Sequence, residues 1–379
     1  MKLETLTWDA RNGWSQQPFP ALDGEQTLVL AFGSTEMIDQ PAPIAALQKA
    51  YPRSHLTGCS TSGEIYQTKV MDHTLAVAIV RFEHTQLVSA CTEVSKGTSS
   101  FDAAVALARQ LLVPRLQSVL VLSDGLNVNG SELVRGMNSV LPSNVVVTGG
   151  LAGDGDRFQR TWVIESGTAR SGSIAAVGFC GERLHVGHGS KGGWDIFGPE
   201  RVVTRSRGNV LYELDHVPAL QLYKKYLGDR AAGLPATALL FPLSVRTSTQ
   251  DPRRLVRTIL SIDEVEQSMT FAGDIPQGWN AQLMKANFDR LISGASDAAL
   301  LTRNGNGTAA TTLAIAVSCV GRRLVLGERA EEEVEATLEM LPDGTQQIGF
   351  YSYGEISPHG VGSCDLHNQT MTLTTIAEH

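Results

Sequence analysis

The most reactive residue types of the sequence stand together in Gly58-Cys59-Ser60-Thr61-Ser62-Gly63. One thiol and three hydroxyls in six residues resemble a nucleophile elbow, but that elbow needs glycine two positions after the serine. Ser62 stands there instead. The stretch therefore predicts a polar turn that lines a ligand pocket, and a hydrolase that uses Cys59 or Ser60 stays open as an alternative. The predicted pocket residues of this turn are Ser60, Thr61, Ser62, Gly63 and Glu64.

Two histidines are candidates for an axial ligand to haem iron. His188 lies between two glycines, and glycine allows a flat ligand to come close to the backbone. His367 lies in Cys364-Asp365-Leu366-His367-Asn368-Gln369-Thr370, where polar neighbours can orient its ring. Crowding by those neighbours makes His188 the favoured candidate. The alternatives are an exposed histidine at a strand end for His188, and polar side chains that fix the start of a strand around His367.

Other signatures of catalysis or metal binding fail. Gly187-His188-Gly189-Ser190-Lys191-Gly192 satisfies G-x-G-x-x-G, but a dinucleotide site needs a helix to begin there. The residues that follow, 193–199, are typical of a loop. Cys364 and His367 are two potential ligands, and two ligands do not close a zinc site. The sequence contains neither G-x-x-x-x-G-K-[ST] nor H-E-x-x-H, so it indicates no P-loop and no zinc protease of that type.

Composition and charge narrow the possible partners. The 379 residues are 42% hydrophobic, which is ordinary for a globular protein. The net charge of -8 and the absence of a basic stripe argue against nucleic acid. No run approaches the roughly 20 apolar residues that span a bilayer, and the first ten residues lack the apolar core of a signal peptide. The five cysteines form no C-x-x-C pair, so we expect a reduced, cytoplasmic protein without a membrane partner.

Apolar runs and helical spacing predict the elements that must position these residues. The predicted strands are 27–32, 75–80, 119–122, 145–148, 174–179, 313–317, 348–353 and 370–375. The predicted helices are 43–51, 102–112, 131–141, 217–226 and 279–293, with Ser131 as an N-cap. This alternation predicts an α/β fold of the mixed α+β type with mixed sheets.

A short pattern in which glycine precedes an acid recurs four times. The instances are Ser62-Gly63-Glu64, Ala152-Gly153-Asp154, Ala272-Gly273-Asp274 and Tyr353-Gly354-Glu355. An apolar strand candidate precedes each one, which predicts an internal duplication into two pseudo-symmetric halves. The alternative is that glycine merely supplies a positive φ in unrelated turns. If the halves are real, residues 58–65 and 349–356 face one cleft.

Two longer motifs resemble those of the FIST family. Gly58 to Ile65 resembles the signature of its N-terminal domain, and residues 349–358 with 366–373 resemble the end of its C-terminal domain. Residues 208–215 resemble the junction, and the resemblance spans roughly 25 to 375. It implies an N-terminal extension over 1–24, a FIST N-terminal domain over 25–205 and a FIST C-terminal domain over 206–379, each with its own sheet.

The resemblance also implies a function. Members of the family are sensory ligand-binding proteins of bacterial signal transduction and not enzymes. Members of about this length include haem proteins that sense nitric oxide and regulate a sensor histidine kinase. One hypothesis is therefore a haem-based nitric oxide sensor with His188 or His367 on the iron. The other is a sensor of a small organic ligand such as an amino acid, held by the polar turn residues together with Glu355 and Asn368.

Overall fold

A computed structural model of the chain describes residues 1–94, 98–234, 236–303, 311–358 and 363–379. Its main body consists of three modules that share one design. Each module is a four-stranded sheet in the order first, fourth, second, third. The second and third strands run parallel and are joined through helix, and the fourth strand runs antiparallel to both of its neighbours.

The bounds of the elements show how closely the modules correspond. Module 1 has the strands Lys2–Asp9, Thr27–Gly33, His55–Ser60 and Thr74–Arg81 and the helix Ala42–Ala50. Module 2 has the strands Gln86–Glu93, Leu116–Ser123, Val146–Leu151 and Ser173–Cys180 and the helices Ser100–Leu111 and Gly130–Val140. Module 3 has the strands Leu184–Lys191, Leu313–Cys319, Gln346–Ser352 and Met371–Glu378 and the helices Phe288–Leu301, Val320–Leu326 and Ala330–Glu339.

Local sequence explains where these elements begin. The strand Thr27–Gly33 is buried along its whole length, as expected for a continuous apolar run covered on both faces. Asn129 caps the helix Gly130–Val140, because its side chain accepts a hydrogen bond from Glu132 N. Ser131, the predicted N-cap, therefore lies inside the first turn of that helix. Apolar side chains from all three modules meet in one central core, which includes Leu30, Leu122 and Ile315.

Each module contributes a β-hairpin that pairs with the sheet of another module. The module 1 hairpin, Glu64–Tyr66 with Lys69–Met71, pairs with the module 3 strand Gln346–Ser352. The module 3 hairpin, Gly354–Pro358 with Cys364–His367, pairs with the module 2 strand Val146–Leu151. The module 2 hairpin, Val163–Glu165 with Thr168–Arg170, pairs with the module 1 strand His55–Ser60. The exchange is cyclic, so no module completes its sheet alone.

An insert of residues 195–285 interrupts module 3 after its first strand and folds around a core of its own. It is a mainly antiparallel β structure with one α-helix, Ala219–Leu227. Its strands are Asp195–Ile196, Arg201–Arg207, Val210–Leu214, Val217–Pro218, Leu243–Arg246, Leu255–Arg257, Ile259–Asp263, Ser268–Phe271 and Asn280–Lys285. A short strand, Gly13–Trp14, extends the module 1 sheet, and 3₁₀ turns cover Thr35–Ile38, Gly228–Gly233, Ala236–Leu240 and Gly327–Arg329.

The mixed α+β fold class is confirmed. The predicted duplication into two pseudo-symmetric halves is wrong, because the same strand order occurs in three modules. The Gly-acid turn Ala272-Gly273-Asp274 lies in the insert and belongs to no module. The expectation of a separate sheet for each half is wrong, because the module 3 sheet joins strands from both sides of residue 205. Residues 1–24 contribute the strand Lys2–Asp9 to module 1. The helix predicted at 279–293 is instead the strand Asn280–Lys285 followed by a helix that begins at Phe288.

Candidate ligand-binding site

The Gly-acid turns of the three modules lie side by side. Ser62 N donates a hydrogen bond to Tyr351 O at 2.8 Å, and Tyr351 N donates one to Gly63 O at 2.9 Å. The module 2 turn joins them through Gly153 N, which donates to Ser60 O at 2.9 Å. The expected proximity of the two polar turns is therefore confirmed by direct backbone hydrogen bonds.

Glu64 is buried, and its carboxyl group is occupied within module 1. One oxygen accepts a hydrogen bond from the Thr61 hydroxyl. The other accepts bonds from the backbone N and the hydroxyl of Thr74, at 3.1 and 2.7 Å. Burial raises the pKa of Glu64 to about 7, against the opposing effect of these hydrogen bonds. The Glu64 side chain therefore connects the module 1 hairpin, which pairs with module 3, to the start of module 1's own fourth strand.

Glu355 occupies the equivalent place in module 3. Its oxygens accept bonds from the Ser352 hydroxyl at 2.7 Å and from the backbone N and hydroxyl of Thr370 at 3.2 and 2.8 Å. Burial raises the pKa of Glu355 to about 8. In both modules the glutamate therefore holds the hairpin that pairs with another module against its own module. A ligand-binding role for Glu64 and Glu355 stays a prediction.

The hydroxyls of the polar turn also bond within the protein. Ser60 Oγ donates to Gly153 O at 2.8 Å and accepts from Trp162 N at 3.1 Å, and Ser62 Oγ accepts from Gly155 N at 3.0 Å. Cys59 is fully buried, and burial raises the pKa of its thiol well above the ordinary value. These contacts do not supply the activated nucleophile that a Cys or Ser hydrolase needs.

A polar cavity of about 280 Å³ adjoins this turn. Thr61, Ser62, Gly63 and Glu64 line it together with His73 and with charged residues, which are Glu36, Asp72, Asp156, Arg157 and Arg323. Arg323 forms an ion pair with Asp72 at 2.6 Å, and Arg157 forms one with Glu36 at 3.1 Å. Both guanidinium groups of the cavity are therefore matched by carboxylates of the chain itself.

Asn368 lies deep in the protein, with 0% of its surface exposed. Neither polar atom of its side chain has a hydrogen-bonding partner within the described residues, and the same is true of the neighbouring Gln369. An added Cβ at Gly354 would lie 3.5 Å from Asn368 Nδ2, so the amide packs behind the module 3 turn. Its predicted ligand-binding role remains open, because it lines neither of the two cavities that adjoin the turns.

A second and larger cavity, of about 420 Å³, lies between the main body and the insert. Module 2 supplies the loop that follows its second strand, 125–130, with Leu151 and Phe158. Module 3 supplies Tyr353 and the end of its second strand, Cys319 and Val320. The insert supplies the facing wall, which consists of Asn209, Leu239, Thr258, Leu260, Phe271, Ala272 and Gly273. We call this space the interdomain cavity.

The wall of the interdomain cavity is apolar and aromatic, with a few neutral polar groups. Among the described residues that line it, none carries a charge. The rings of Phe158 and Tyr353 stack with centroids 4.5 Å apart. Thr258 is buried, and its hydroxyl has no hydrogen-bonding partner in the described part of the chain. A concave apolar space with a few polar groups is the usual form of a small-molecule site.

A buried aspartate, Asp124, fixes the conformation of the module 2 loop 125–130. The Asp124 carboxylate accepts hydrogen bonds from Leu126 N and Asn127 N, both at 2.8 Å, and from Gly172 N at 2.8 Å. Gly125 allows the loop to approach module 2's own turn, because an added Cβ would lie 1.9 Å from Ala152 O. The loop is therefore preorganised at the carboxyl end of a parallel strand, where open α/β sheets bind ligands.

Neither of the two histidines proposed as haem ligands lines the interdomain cavity, and haem ligation by either one stays a prediction. The glycines beside His188 face the helix Phe288–Leu301, since added Cβ atoms at Gly187 and Gly189 would lie 2.1 Å from Thr302 O and Ala298 O. A helix therefore occupies the strand face that carries these glycines, and His188 lies on the opposite face. His367 is 3% exposed, and its Nε2 donates to Ser357 O at 2.9 Å.

The interdomain cavity, in addition, has no histidine among its described lining residues. Within the described residues, no group of three or more His, Cys, Asp or Glu side chains is placed to hold a metal ion. None of the helices in the described ranges has the length and apolar character needed to cross a bilayer.

Sequence reasoning missed most of the interdomain cavity. The signal for the module 2 loop was present, because Asp124 to Asn129 is a polar segment between a predicted strand and a predicted helix. Tyr353 was part of a recognised motif. Thr258 had no such signal, because it lies in a region of irregular patterning and reaches the cavity only through the docking of the insert.

Comparison with known proteins gives two family matches, which meet within the insert. The FIST N domain model matches residues 27–217, and the FIST C domain model matches residues 219–358. No curated protein matches the sequence. FIST domains are sensory, ligand-binding domains of signal-transduction proteins. The two matches together cover most of the chain, which therefore belongs to the FIST family.

Proposed function

We propose that this protein is a cytoplasmic sensor that binds a small organic ligand in the interdomain cavity and reports its occupancy to a signalling partner such as a sensor histidine kinase. The observation that carries the proposal is the cavity itself. It holds about 420 Å³ and combines aromatic walls with a buried hydroxyl, Thr258, that lacks a partner in the described residues. This agrees with the sensory role of FIST domains and requires no catalytic group.

The position of the cavity suits a sensor. Its walls come from module 2, module 3 and the insert, so a bound ligand touches three parts of the chain. A ligand that prefers one arrangement of these parts shifts the population toward it. A partner that binds one of these arrangements better than the other then responds to the ligand.

The other hypotheses are less well supported by the site. A free amino acid carries an ammonium and a carboxylate, and the described wall of the interdomain cavity offers neither an acid nor a base to match them. The smaller polar cavity beside the module 1 turn does have charged groups, but its two guanidinium groups are already paired. For haem-based nitric oxide sensing, no described histidine faces the interdomain cavity.

The test is a thermal-shift screen of uncharged metabolites, amino acids and haemin against the wild type and Ala272→Phe. Ala272 lines the interdomain cavity, so the larger side chain is expected to fill it and to abolish the stabilisation that a ligand gives to the wild type. Ala286→Phe, which alters a different surface pocket, is the control. Leu126→Trp at the cavity rim is a second blocking variant in case Ala272→Phe folds poorly.

Two outcomes would overturn the proposal. One is a ligand that stabilises the wild type and Ala272→Phe equally. The other is a saturable Soret shift with haemin that disappears in His188→Ala or His367→Ala, which would restore the haem sensor as the leading hypothesis.

A further inference from the structure

We propose, building on the proposed function of the interdomain cavity, that its ligand is an uncharged planar aromatic molecule whose hydrogen-bonding group meets the hydroxyl of Thr258. The inference concerns the chemical class of the ligand and follows from the charge, the ring geometry and the unpaired polar atom of the cavity wall.

The absence of charge from the wall is the first argument. None of the described lining residues is Asp, Glu, Lys, Arg or His. Moving an ion from water into such a space without a partner is strongly unfavourable. A carboxylate, a phosphate or an ammonium on the ligand would therefore lose its hydration without compensation.

The charged groups close to the cavity already have partners within the protein. The Arg257 guanidinium, beside Gly273, donates to the backbone carbonyls of Val256, Asp274 and Leu366. The Asp124 carboxylate is saturated by backbone N–H groups of its own loop and of Gly172. The helix Gly130–Val140 begins at the wall, and its N-terminus would favour an anion. Glu132 already places a carboxylate in that first turn, and Asn129 caps it.

Aromatic surface is the second argument. The stacked rings of Phe158 and Tyr353 are nearly parallel, with an interplanar angle of 14°, and Phe271 adds a third ring to the lining. At the rim, Leu126, Phe158 and Leu260 leave 37%, 43% and 43% of their surfaces exposed. A flat apolar ligand would cover these side chains and extend the stack.

The hydroxyl of Thr258 is the third argument. Thr258 is a residue of the cavity wall, and its hydroxyl oxygen is buried without a partner among the described residues. A buried polar group that lacks a hydrogen bond destabilises the protein, and a ligand that supplies the bond removes that cost. Thr258 is therefore the group expected to select a ligand with a donor or acceptor at its edge.

Three nearly isosteric probes separate charge from shape: benzamide is neutral, benzoate is an anion and benzamidine is a cation. Isothermal titration of the full chain with each probe is expected to show benzamide binding in the millimolar range, at least ~10-fold more tightly than either ion. Ala272→Phe is expected to abolish that binding. Tighter binding of benzoate or benzamidine in the same cavity would overturn the inferred ligand class and leave the cavity as a sensory site intact.

Thr258→Val tests the hydroxyl at constant shape. It is expected to weaken benzamide binding about 5- to 10-fold, while Thr258→Ser, which keeps the hydroxyl, retains it. Thr148→Val is the matched control, because Thr148 is also buried with an unpartnered hydroxyl and does not line the cavity. Equal affinities in Thr258→Val and the wild type, or no saturable binding of benzamide, would overturn the inference. The ligand screen above would still judge the proposed function separately.

Discussion

At the scale of single residues, the Gly-acid turns carry an acid that the fold keeps away from water. Glu64 and Glu355 accept hydrogen bonds from hydroxyls and backbone N–H groups of their own modules. Burial nevertheless outweighs those bonds and raises the pKa of both carboxyl groups. A protonated carboxyl loses less on burial than a carboxylate, so the turns are most stable when these acids are neutral.

This predicts a pH dependence of stability that glutamine removes. In the unfolded chain Glu64 ionises near its ordinary value, and in the folded protein near pH 7. Its stabilising contribution is therefore complete below about pH 4.5 and disappears as the pH rises through 7. Glu64→Gln stays neutral, so its free energy of unfolding relative to the wild type should rise by about 1–3 kcal/mol between pH 5 and pH 8.

Urea denaturation at several pH values measures that difference. For Glu355→Gln the rise should extend to about pH 8, because burial raises the pKa of Glu355 further. Glu4→Gln, on the exposed face of the strand Lys2–Asp9, is the control. The prediction is contradicted if the difference in free energy of unfolding between Glu64→Gln and the wild type is the same at every pH in this range. Glu64 would then be ionised in the folded protein.

At the scale of elements, the three modules repeat one close contact between parallel strands. Gly58, Gly149 and Gly349 each lie opposite a residue of the neighbouring second strand. An added Cβ at any of them would lie 1.8 Å from that residue's carbonyl oxygen. Only glycine allows this approach, so the same sequence requirement recurs wherever a third strand pairs with a second.

Replacing these glycines should therefore destabilise the modules. We expect Gly58→Ala and Gly349→Ala each to lower the free energy of unfolding by about 2–4 kcal/mol, because the backbone must separate to admit the methyl group. Chemical denaturation provides the measurement. The control is Gly24→Ala, whose added Cβ would lie 3.5 Å from the nearest atom, in the Arg81 side chain. Losses that are equal at Gly24 and Gly58 would refute the steric explanation.

At the scale of the whole molecule, a buried arginine docks the insert on the main body. Arg257 is 4% exposed and is the last residue of the insert strand Leu255–Arg257, directly before Thr258. Its guanidinium donates to Leu366 O of the module 3 hairpin at 2.9 Å and to Asp274 O at 3.1 Å. The bond to Leu366 joins the insert to the module 3 hairpin, so it fixes the position of the insert on the main body.

Arg257→Met is expected to loosen the insert while the modules stay folded. Three carbonyls lose their donor, and the loss of the bond to Leu366 O costs about 1–3 kcal/mol of docking energy. Hydrogen exchange should become faster in the hairpin Gly354–Pro358 with Cys364–His367 and in the facing insert strands, and ligand affinity should fall. Arg254→Met is the matched control, because Arg254 bonds only to Ser244 and Gln282 of the insert itself in the described structure. Identical exchange in both variants would contradict the docking role.

The sequence predicted the elements well where local patterning determines them. The apolar runs at 27–32 and 313–317 form buried strands, and most of the segment 102–112 lies in a helix. Such elements are predictable because apolar residues recur along the chain with the period of the helix or strand that buries them. The segment 279–293 was wrongly predicted, because the strand Asn280–Lys285 and the helix after Asn287 lie so close that one helical pattern spans both.

The sequence by itself determined the mixed α+β class, the recurring Gly-acid turns and the membership of the FIST family. Only the tertiary structure decided that the repeat is threefold, that each hairpin completes another module's sheet, and that the glycines beside His188 serve a helix. It also brought Thr258 to the cavity wall opposite the loop after Ser123. The reason is physical: side-chain periodicity records whether a residue is buried, whereas the partner of a sheet edge or a cavity wall is chosen by contacts between residues far apart in the chain.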